Sequence, residues 1–139
     1  MNDLLEEIND YVSSKDFDED ELDVMMDECV IAFVEQKFGI QVVQEVLDLM
    51  ERNPLVAFGG PGALVHYVET FSNRGYEEML CASIERAPAV HTLWMLNRVI
   101  NGEDDEKYMK LMEMTSIRKD INETVRNVAI EFCKYQDSK

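Results

Sequence analysis

Apolar residues recur along this chain at intervals of three and four positions, with polar residues between them. This spacing places them on one face of an α-helix, whereas a half-buried strand would alternate apolar and polar residues. Between Phe58 and Gly102 the pattern predicts three consecutive helices. Their apolar positions are Leu64, Val65, Val68 and Phe71 in the first, Met79, Leu80 and Ile84 in the second, and Val90, Leu93, Trp94, Leu96, Val99 and Ile100 in the third.

Proline and glycine separate these three helices. The first begins after Pro61 and Gly62 and is predicted to end at Gly75, the second cannot continue past Pro88, and the third ends at Gly102. Glycine just after the last apolar residue and proline at a helix boundary are the expected stop and start signals. We therefore expect residues 58–102 to form the packed centre of a helical protein.

The flanking segments continue the helical pattern. We predict a helix over residues 2–14, an acidic second helix that Gly39 closes, and a third over 40–52 that Asn53-Pro54 ends. The second helix has a wide apolar stripe, expected to be buried, formed by Leu22, Met25, Met26, Cys29, Val30, Phe33, Val34 and Phe38. After Gly102, a seventh helix begins at Glu103-Asp104-Asp105-Glu106 and an eighth begins near residue 117, with Ile117 and Ile121 on its apolar face. No segment of five residues alternates with period two, so the predicted class is all-α.

The length of 139 residues suits one domain with a sizeable core. We predict a single domain over 1–139, with acidic N-terminal helices in 1–52, central helices in 58–102 and C-terminal helices in 103–135. Two arrangements of seven or eight helices fit the short connections. One is a compact bundle, and the other stacks the second half as an α-solenoid in the manner of HEAT repeats.

The net charge of −16 is distributed unevenly. Residues 1–51 contain 16 acidic and two basic residues, a net of −14, whereas residues 52–139 contain 13 acidic and 11 basic residues, a net of −2. A negative field of this kind repels nucleic acid and anionic membranes and attracts basic partners. Direct binding to nucleic acid or to a membrane is therefore not expected.

Eight acidic residues lie within thirteen positions of the predicted second helix and the segment before it. They are Asp16, Asp18, Glu19, Asp20, Glu21, Asp23, Asp27 and Glu28. A charge run is most often a solvated face that keeps a protein soluble. Here the run flanks an apolar helix, and charges around an apolar centre form a suitable docking surface for a basic protein. The eight acids are the predicted partner-binding residues.

The pattern contains no convincing catalytic or metal site. Asp16, Asp18 and Asp20 have the spacing that opens a calcium loop, but Glu21 occupies the position that requires glycine. The three cysteines form no Cys-x-x-Cys pair and are expected to be buried free thiols. We expect no cofactor, no metal and no catalysis.

His66 and Glu69 share a helix face, and His91 lies two helices further on. A small metal-binding enzyme that uses these three residues is the least favoured alternative, because no further ligands converge on them in the sequence. The acidic N-terminus and the absence of a long apolar run predict a cytoplasmic protein.

The central region also carries a family resemblance. It includes Pro61-Gly62, Leu64-Val65-His66, Glu69, Gly75-Tyr76-Glu77-Glu78, Pro88, His91-Thr92, Trp94-Met95-Leu96-Asn97-Arg98 and Asn101-Gly102. This succession resembles small α-helical immunity proteins of bacterial polymorphic-toxin and contact-dependent growth inhibition systems. The resemblance covers about a third of the chain. Its motif residues, for which we expect structural roles, are Pro61, Gly62, His66, Glu69, Gly75, His91, Trp94, Asn97 and Arg98.

The resemblance implies that the protein binds and neutralises a cognate toxin domain. Many such toxins are nucleases, and a nuclease must be basic to hold a polyanion. An acidic inhibitor could cover the substrate cleft, and the resemblance favours an RNase or tRNase, although the residues are equally compatible with a DNase. A helical-repeat adaptor that scaffolds other proteins is the first alternative.

Overall fold

The computed structural model describes residues 2–14 and 16–139. These residues form eight α-helices and no strand, and about 70% of the chain is helical, which confirms the all-α prediction and gives a helical bundle. The helices are α1 (Asp3–Val12), α2 (Glu19–Glu35), α3 (Gln41–Arg52), α4 (Ala63–Glu69), α5 (Tyr76–Arg86), α6 (Val90–Gly102), α7 (Glu106–Ser116) and α8 (Glu123–Asp137).

Four of these helices begin at a side-chain cap. The side chains of Asn2, Asp18, Asp105 and Asn122 each accept a hydrogen bond from a backbone N–H two residues later. The first N–H groups of a helix have no partner within it, and Asn and Asp at the N-cap satisfy one of them. At these four helix starts a local side chain therefore satisfies a backbone group that the helix itself leaves without a partner.

The α3 and α6 helices lie at the centre of the bundle. The α3 helix packs against α1, α4, α5 and α6, and α6 packs against α3, α5, α7 and α8. One buried apolar cluster includes side chains from all eight helices. The α2 helix packs against α1 and α4 at one side of this assembly, so its opposite face is left open to solvent.

Several helix boundaries differ from the predicted ones. The α2 helix ends at Glu35 because Lys37 has φ 54°, although Phe38 still packs on Phe33 with ring centroids 5.7 Å apart. The α4 helix ends at Glu69, not at Gly75, and Phe71 lies buried in the turn that follows. Positive φ angles at Asn73 and Gly75 prevent a continuous helix through this turn.

The eighth helix was also predicted to begin too early. Ile117 and Ile121 precede α8, which begins at Glu123. The Arg118 guanidinium donates to the backbone carbonyls of Ile84 and Glu85, so the connection between α7 and α8 is attached to the end of α5. The residues predicted to form the first turn of α8 therefore belong to this connection instead.

The cysteines are free, but only Cys29 is fully buried, whereas Cys81 and Cys133 are half-buried. The prediction of buried thiols is therefore wrong for the latter two, because α5 and α8 each turn one side toward solvent. Within the described residues, no helix has both the length and the apolar character needed to cross a membrane.

Candidate protein-binding surface

The α2 helix has apolar residues on two opposite faces. Leu22, Met26, Cys29 and Phe33 are at most 2% exposed and form the face that packs into the bundle. Val24, Ile31 and Val34 are respectively 49%, 56% and 61% exposed. At about 100° per residue, these three side chains lie on the side of the helix away from the core.

The exposed valines and isoleucine are interleaved with acids. We use the name α2 outer face for the exposed side chains of Asp20, Val24, Asp27, Glu28, Ile31, Val34 and Glu35. The prediction that Val34 belongs to the buried stripe is wrong, because one residue of helix rotates it away from buried Phe33. The helical pattern in the sequence does not single out Val24 and Ile31, although their seven-residue spacing places both on the side of the helix opposite Leu22.

All eight predicted acids are exposed. Within residues 2–14 and 16–139, no cationic side chain forms an ion pair with any of them. Asp20, Asp27 and Glu28 lie on the α2 outer face, whereas Glu19 and Asp23 turn toward the loop at 57–60. The structure therefore distributes the eight acids over two sides of one helix and the segment before it.

Asp18 has a structural task within this group. Its Oδ1 accepts hydrogen bonds from the backbone N–H groups of Asp20 at 2.8 Å and Glu21 at 3.3 Å. Its own backbone N–H donates to the Tyr11 hydroxyl at 2.8 Å, which attaches the start of α2 to α1. Asp18 is the N-cap of α2, so its substitution would disturb the helix as well as any interface.

A cleft of about 230 Å³ lies beside the start of α2. Glu19 and Asp23 line one wall, and Ala57, Gly59 and Gly60 line the other. The buried side chain of His91 forms hydrogen bonds with this loop at Phe58 and Pro61. Acidic side chains and a backbone wall thus border the α2 outer face at this end.

The loop at 58–62 requires its glycines. Gly59 and Gly62 have φ angles of 107° and 98°, which L-residues rarely adopt. A Cβ atom on Gly62 would lie 2.0 Å from the carbonyl oxygen of Phe58. The Gly60–Pro61 peptide bond is cis.

His91 joins both ends of this loop. Its Nδ1 accepts a hydrogen bond from the backbone N–H of Phe58 at 3.0 Å, so Nε2 carries the proton and donates to the carbonyl oxygen of Pro61 at 2.8 Å. Burial lowers the pKa of His91, and the hydrogen bond to Pro61 partly opposes this. The neutral ring is therefore a structural clamp.

The residues of the metal-binding alternative do not converge. His91 uses both ring nitrogens on backbone groups, whereas His66 is exposed with Nδ1 3.8 Å from Oε1 of Glu69. Glu69 is bound by Arg98 through two hydrogen bonds of 2.7 and 2.9 Å. In the described part of the chain, no three His, Cys, Asp or Glu side chains are grouped so that they could hold a metal ion.

The other motif residues also have packing or bonding roles. Trp94 is half-buried against the His91 ring, with centroids 5.4 Å apart. The Asn97 side chain is buried and accepts a hydrogen bond from Gln136 of α8 at 2.7 Å. Gly75 takes the left-handed conformation, with φ 111°, at the start of α5.

Comparison of the chain with protein-family models, with curated proteins and with solved structures finds no match.

Proposed function

We propose that this protein is an immunity protein that binds and neutralises a basic toxin domain through the α2 outer face. The observation that carries the proposal is the combination of exposed Val24, Ile31 and Val34 with acids that have no ion-pair partner among the described residues. The toxin identity of the partner comes from the family resemblance, and the basic character of the partner comes from the charge of the surface.

The two kinds of side chain on this surface would act at different stages of binding. Unpaired surface acids speed the encounter with a basic protein and reject acidic ones. Apolar side chains that become buried in a complex contribute about 25 cal/mol per Å² of area removed from water, which slows dissociation. Solubility alone would explain the acids, but it gives no reason for three large apolar side chains on the same face.

Inhibition would follow from occlusion of the toxin's substrate site. The substrate-binding cleft of a nuclease presents Lys and Arg to phosphates. Carboxylates of the α2 outer face would occupy the positions of these phosphates, and the loop at 57–60 would border the contact. We favour an RNase, including one that acts on tRNA, as the toxin.

Surface plasmon resonance against the protein encoded immediately upstream tests this proposal. The expected result is tight binding with an association rate that falls as salt rises, because salt screens exposed charges. The variant Asp20→Lys, Asp27→Lys, Glu28→Lys keeps the Asp18 cap and should lose most of that association rate. The control Asp104→Lys, Glu113→Lys, Asp137→Lys makes the same change of charge at exposed sites outside α2. It should bind the upstream protein more tightly than the α2 variant does.

A second pair of variants tests the apolar part of the surface. Ile31→Ser should raise the dissociation rate, whereas Ile117→Ser, which alters an exposed isoleucine outside α2, should leave it unchanged. Tight binding that is insensitive to salt and to the α2 variants would keep the immunity role but contradict the proposed surface. No binding to the upstream protein would contradict the immunity role and favour the adaptor alternative.

A further inference from the structure

A larger cleft, of about 310 Å³, lies between α5 and α7. Glu78, Ala82 and Glu85 follow one another at helical spacing along the α5 wall, and Lys107 and Leu111 do so along the α7 wall. Ala82 is exposed, and its short side chain leaves the space between the two walls unfilled. Small-molecule sites in proteins have volumes of about 300–1,000 Å³, so the cleft is large enough for a small organic molecule. None of these residues belongs to the α2 outer face.

The inner surface of the cleft is apolar. Cys81 and Leu111 are half-buried and pack against the hydrophobic core. Burial is the main cause that raises the pKa of the Cys81 thiol to about 11, so the thiol is neutral at pH 7. Apolar side chains in a binding cleft receive the apolar part of a ligand, and a few polar groups fix its orientation. The apolar part of a ligand would therefore contact Cys81, Ala82 and Leu111.

Tyr108 supplies an unpartnered polar group at this cleft. The residue is 6% exposed, and its hydroxyl has no hydrogen-bond partner among the described residues. Unlike the hydroxyl of Tyr76, which is sealed from solvent, the hydroxyl of Tyr108 keeps accessible surface. Burial raises the pKa of Tyr108, and the other groups that act on this pKa all line the cleft: Lys107, Glu77, Cys81 and Glu78. The hydroxyl is therefore neutral and directed into the cleft.

The electrostatics of the cleft favour a cation. Three carboxylates line it, those of Glu77, Glu78 and Glu85. Within residues 2–14 and 16–139, no cationic side chain forms an ion pair with any of them. Lys107 is the one cationic residue among the described residues of the lining, and its Nζ already lies 3.6 Å from Oδ2 of Asp105. The cleft therefore keeps a net negative charge that a positively charged ligand would balance.

Glu77 and Glu78 differ in how far they are already engaged. Glu77 is 6% exposed, and both of its carboxylate oxygens accept from the backbone N–H of Asn73, at 3.0 and 3.2 Å. Glu78 is exposed, and no hydrogen bond or ion pair holds its carboxylate among the described residues. Glu78 is therefore the carboxylate that can turn toward a ligand, whereas Glu77 adds negative charge from a fixed position.

We propose that this cleft binds a small organic cation, in which an aromatic or alkyl body carries a primary ammonium group. The body would lie on Cys81, Ala82 and Leu111. The ammonium group would donate one hydrogen bond to the hydroxyl oxygen of Tyr108 and another to the carboxylate of Glu78. The site shares no residue with the α2 outer face, and its test does not depend on the proposed function.

NMR titration of the ¹⁵N-labelled protein provides the test, with phenethylamine and butylamine as probes. Both amines should shift the backbone amide signals of Glu78, Ala82 and Leu111 in a saturable manner. 2-Phenylethanol has the ring and chain of phenethylamine without the charge and should bind about tenfold more weakly or worse, because its hydrogen bonds involve no charged group. Ethylamine carries the charge without the apolar body and should also bind more weakly than either probe.

Tyr108→Phe removes only the hydroxyl and is the decisive variant. It should weaken binding of phenethylamine about tenfold, since a hydrogen bond to a charged group is lost. Tyr135→Phe makes the same change on α8, outside the cleft, and should bind as the wild type does. Ala82→Leu fills the cleft from an exposed position and should abolish the saturable shifts while the rest of the amide spectrum stays in place.

The carboxylate of Glu78 is tested in the same way. Glu78→Gln should weaken binding of phenethylamine, because it removes the charge that faces the ammonium group. Glu123→Gln makes the same change of charge at an exposed site on α8 and should leave the affinity unchanged.

Three results would overturn this proposal. Equal affinity for phenethylamine and 2-phenylethanol would show that the cleft does not recognise charge. Unchanged affinity in both Tyr108→Phe and Ala82→Leu would place binding elsewhere on the protein. The absence of saturable shifts with phenethylamine and with butylamine would show that the cleft holds only water.

Discussion

Nδ1 of the His91 ring accepts a hydrogen bond of 3.0 Å from the backbone N–H of Phe58, which lies 33 residues earlier in the chain. This bond requires an unprotonated Nδ1, so the native loop conformation depends on a neutral imidazole. The same ring donates to the carbonyl of Pro61. The first prediction follows from the lowered pKa of His91.

The stability of the protein should fall as pH falls below about 7. The unfolded chain takes up a proton on His91 near the ordinary pKa of 6.5, whereas the folded state stays neutral until its lower pKa is reached. The free energy of unfolding should then decline by up to about 1.4 kcal/mol per pH unit below that value. Urea unfolding between about pH 7 and pH 5.5 measures this slope, above the range in which most exposed carboxylates titrate.

His91→Gln should lose this component of the slope, since it removes the titrating group. His66→Gln, which removes the exposed histidine of α4, is the control and should keep the slope of the wild type. Equal slopes in the wild type and in His91→Gln would contradict the role of the neutral ring.

Gly62→Ala should destabilise the protein by about 3 kcal/mol or more. Its backbone conformation, φ 98° and ψ 162°, is almost confined to glycine, and the new Cβ atom would meet the carbonyl oxygen of Phe58. Gly102→Ala is the matched control, because no atom lies within 4 Å of a Cβ placed there. Urea titration of both variants should show a large shift of the midpoint for Gly62→Ala only.

Asp18→Ala should destabilise α2 by about 1 kcal/mol through the loss of its N-cap. Asp18→Asn keeps a cap acceptor and should be close to the wild type in stability. Asp23→Ala, at an exposed position with no capping bond, should change the free energy of unfolding by less than about 0.5 kcal/mol. If Asp18→Ala were as stable as Asp23→Ala, the capping role of Asp18 would be wrong.

The Arg98–Glu69 pair should be coupled more strongly than an exposed ion pair. Its two hydrogen bonds are short, and the side chains are only 35% and 23% exposed. A double-mutant cycle with Arg98→Met and Glu69→Gln should give a coupling energy of about 1 kcal/mol or more.

The exposed Lys134–Glu131 pair, with side chains 70% and 73% exposed, provides the comparison. A cycle with Lys134→Met and Glu131→Gln should give less than about 0.5 kcal/mol. Similar values for the two pairs would mean that partial burial and the two-bond geometry add nothing to the first.

Much of the fold was predictable because helix formation depends on neighbours within a few positions. The apolar period of three to four residues and the glycine at the end of α6 are both local signals. The all-α class and the prediction of seven or eight helices follow from them. The exposure of the acidic residues around α2 was also predictable from the sequence, since charged side chains are rarely buried without partners.

The tertiary structure decided everything that joins distant positions. It placed Arg98 on Glu69 and His91 on the loop at 58–62, pairs about thirty residues apart whose separation carries no periodic signal. It ended α4 before Phe71 and delayed α8 until after Ile121.

The tertiary structure also decided which of two apolar faces of α2 is buried. The sequence by itself determined that α2 is a helix with apolar residues around much of its circumference, because that depends only on the order of the residues. Only the packing of α1 and α4 on one side determined that Val24, Ile31 and Val34 remain exposed, since burial depends on which neighbours reach a surface.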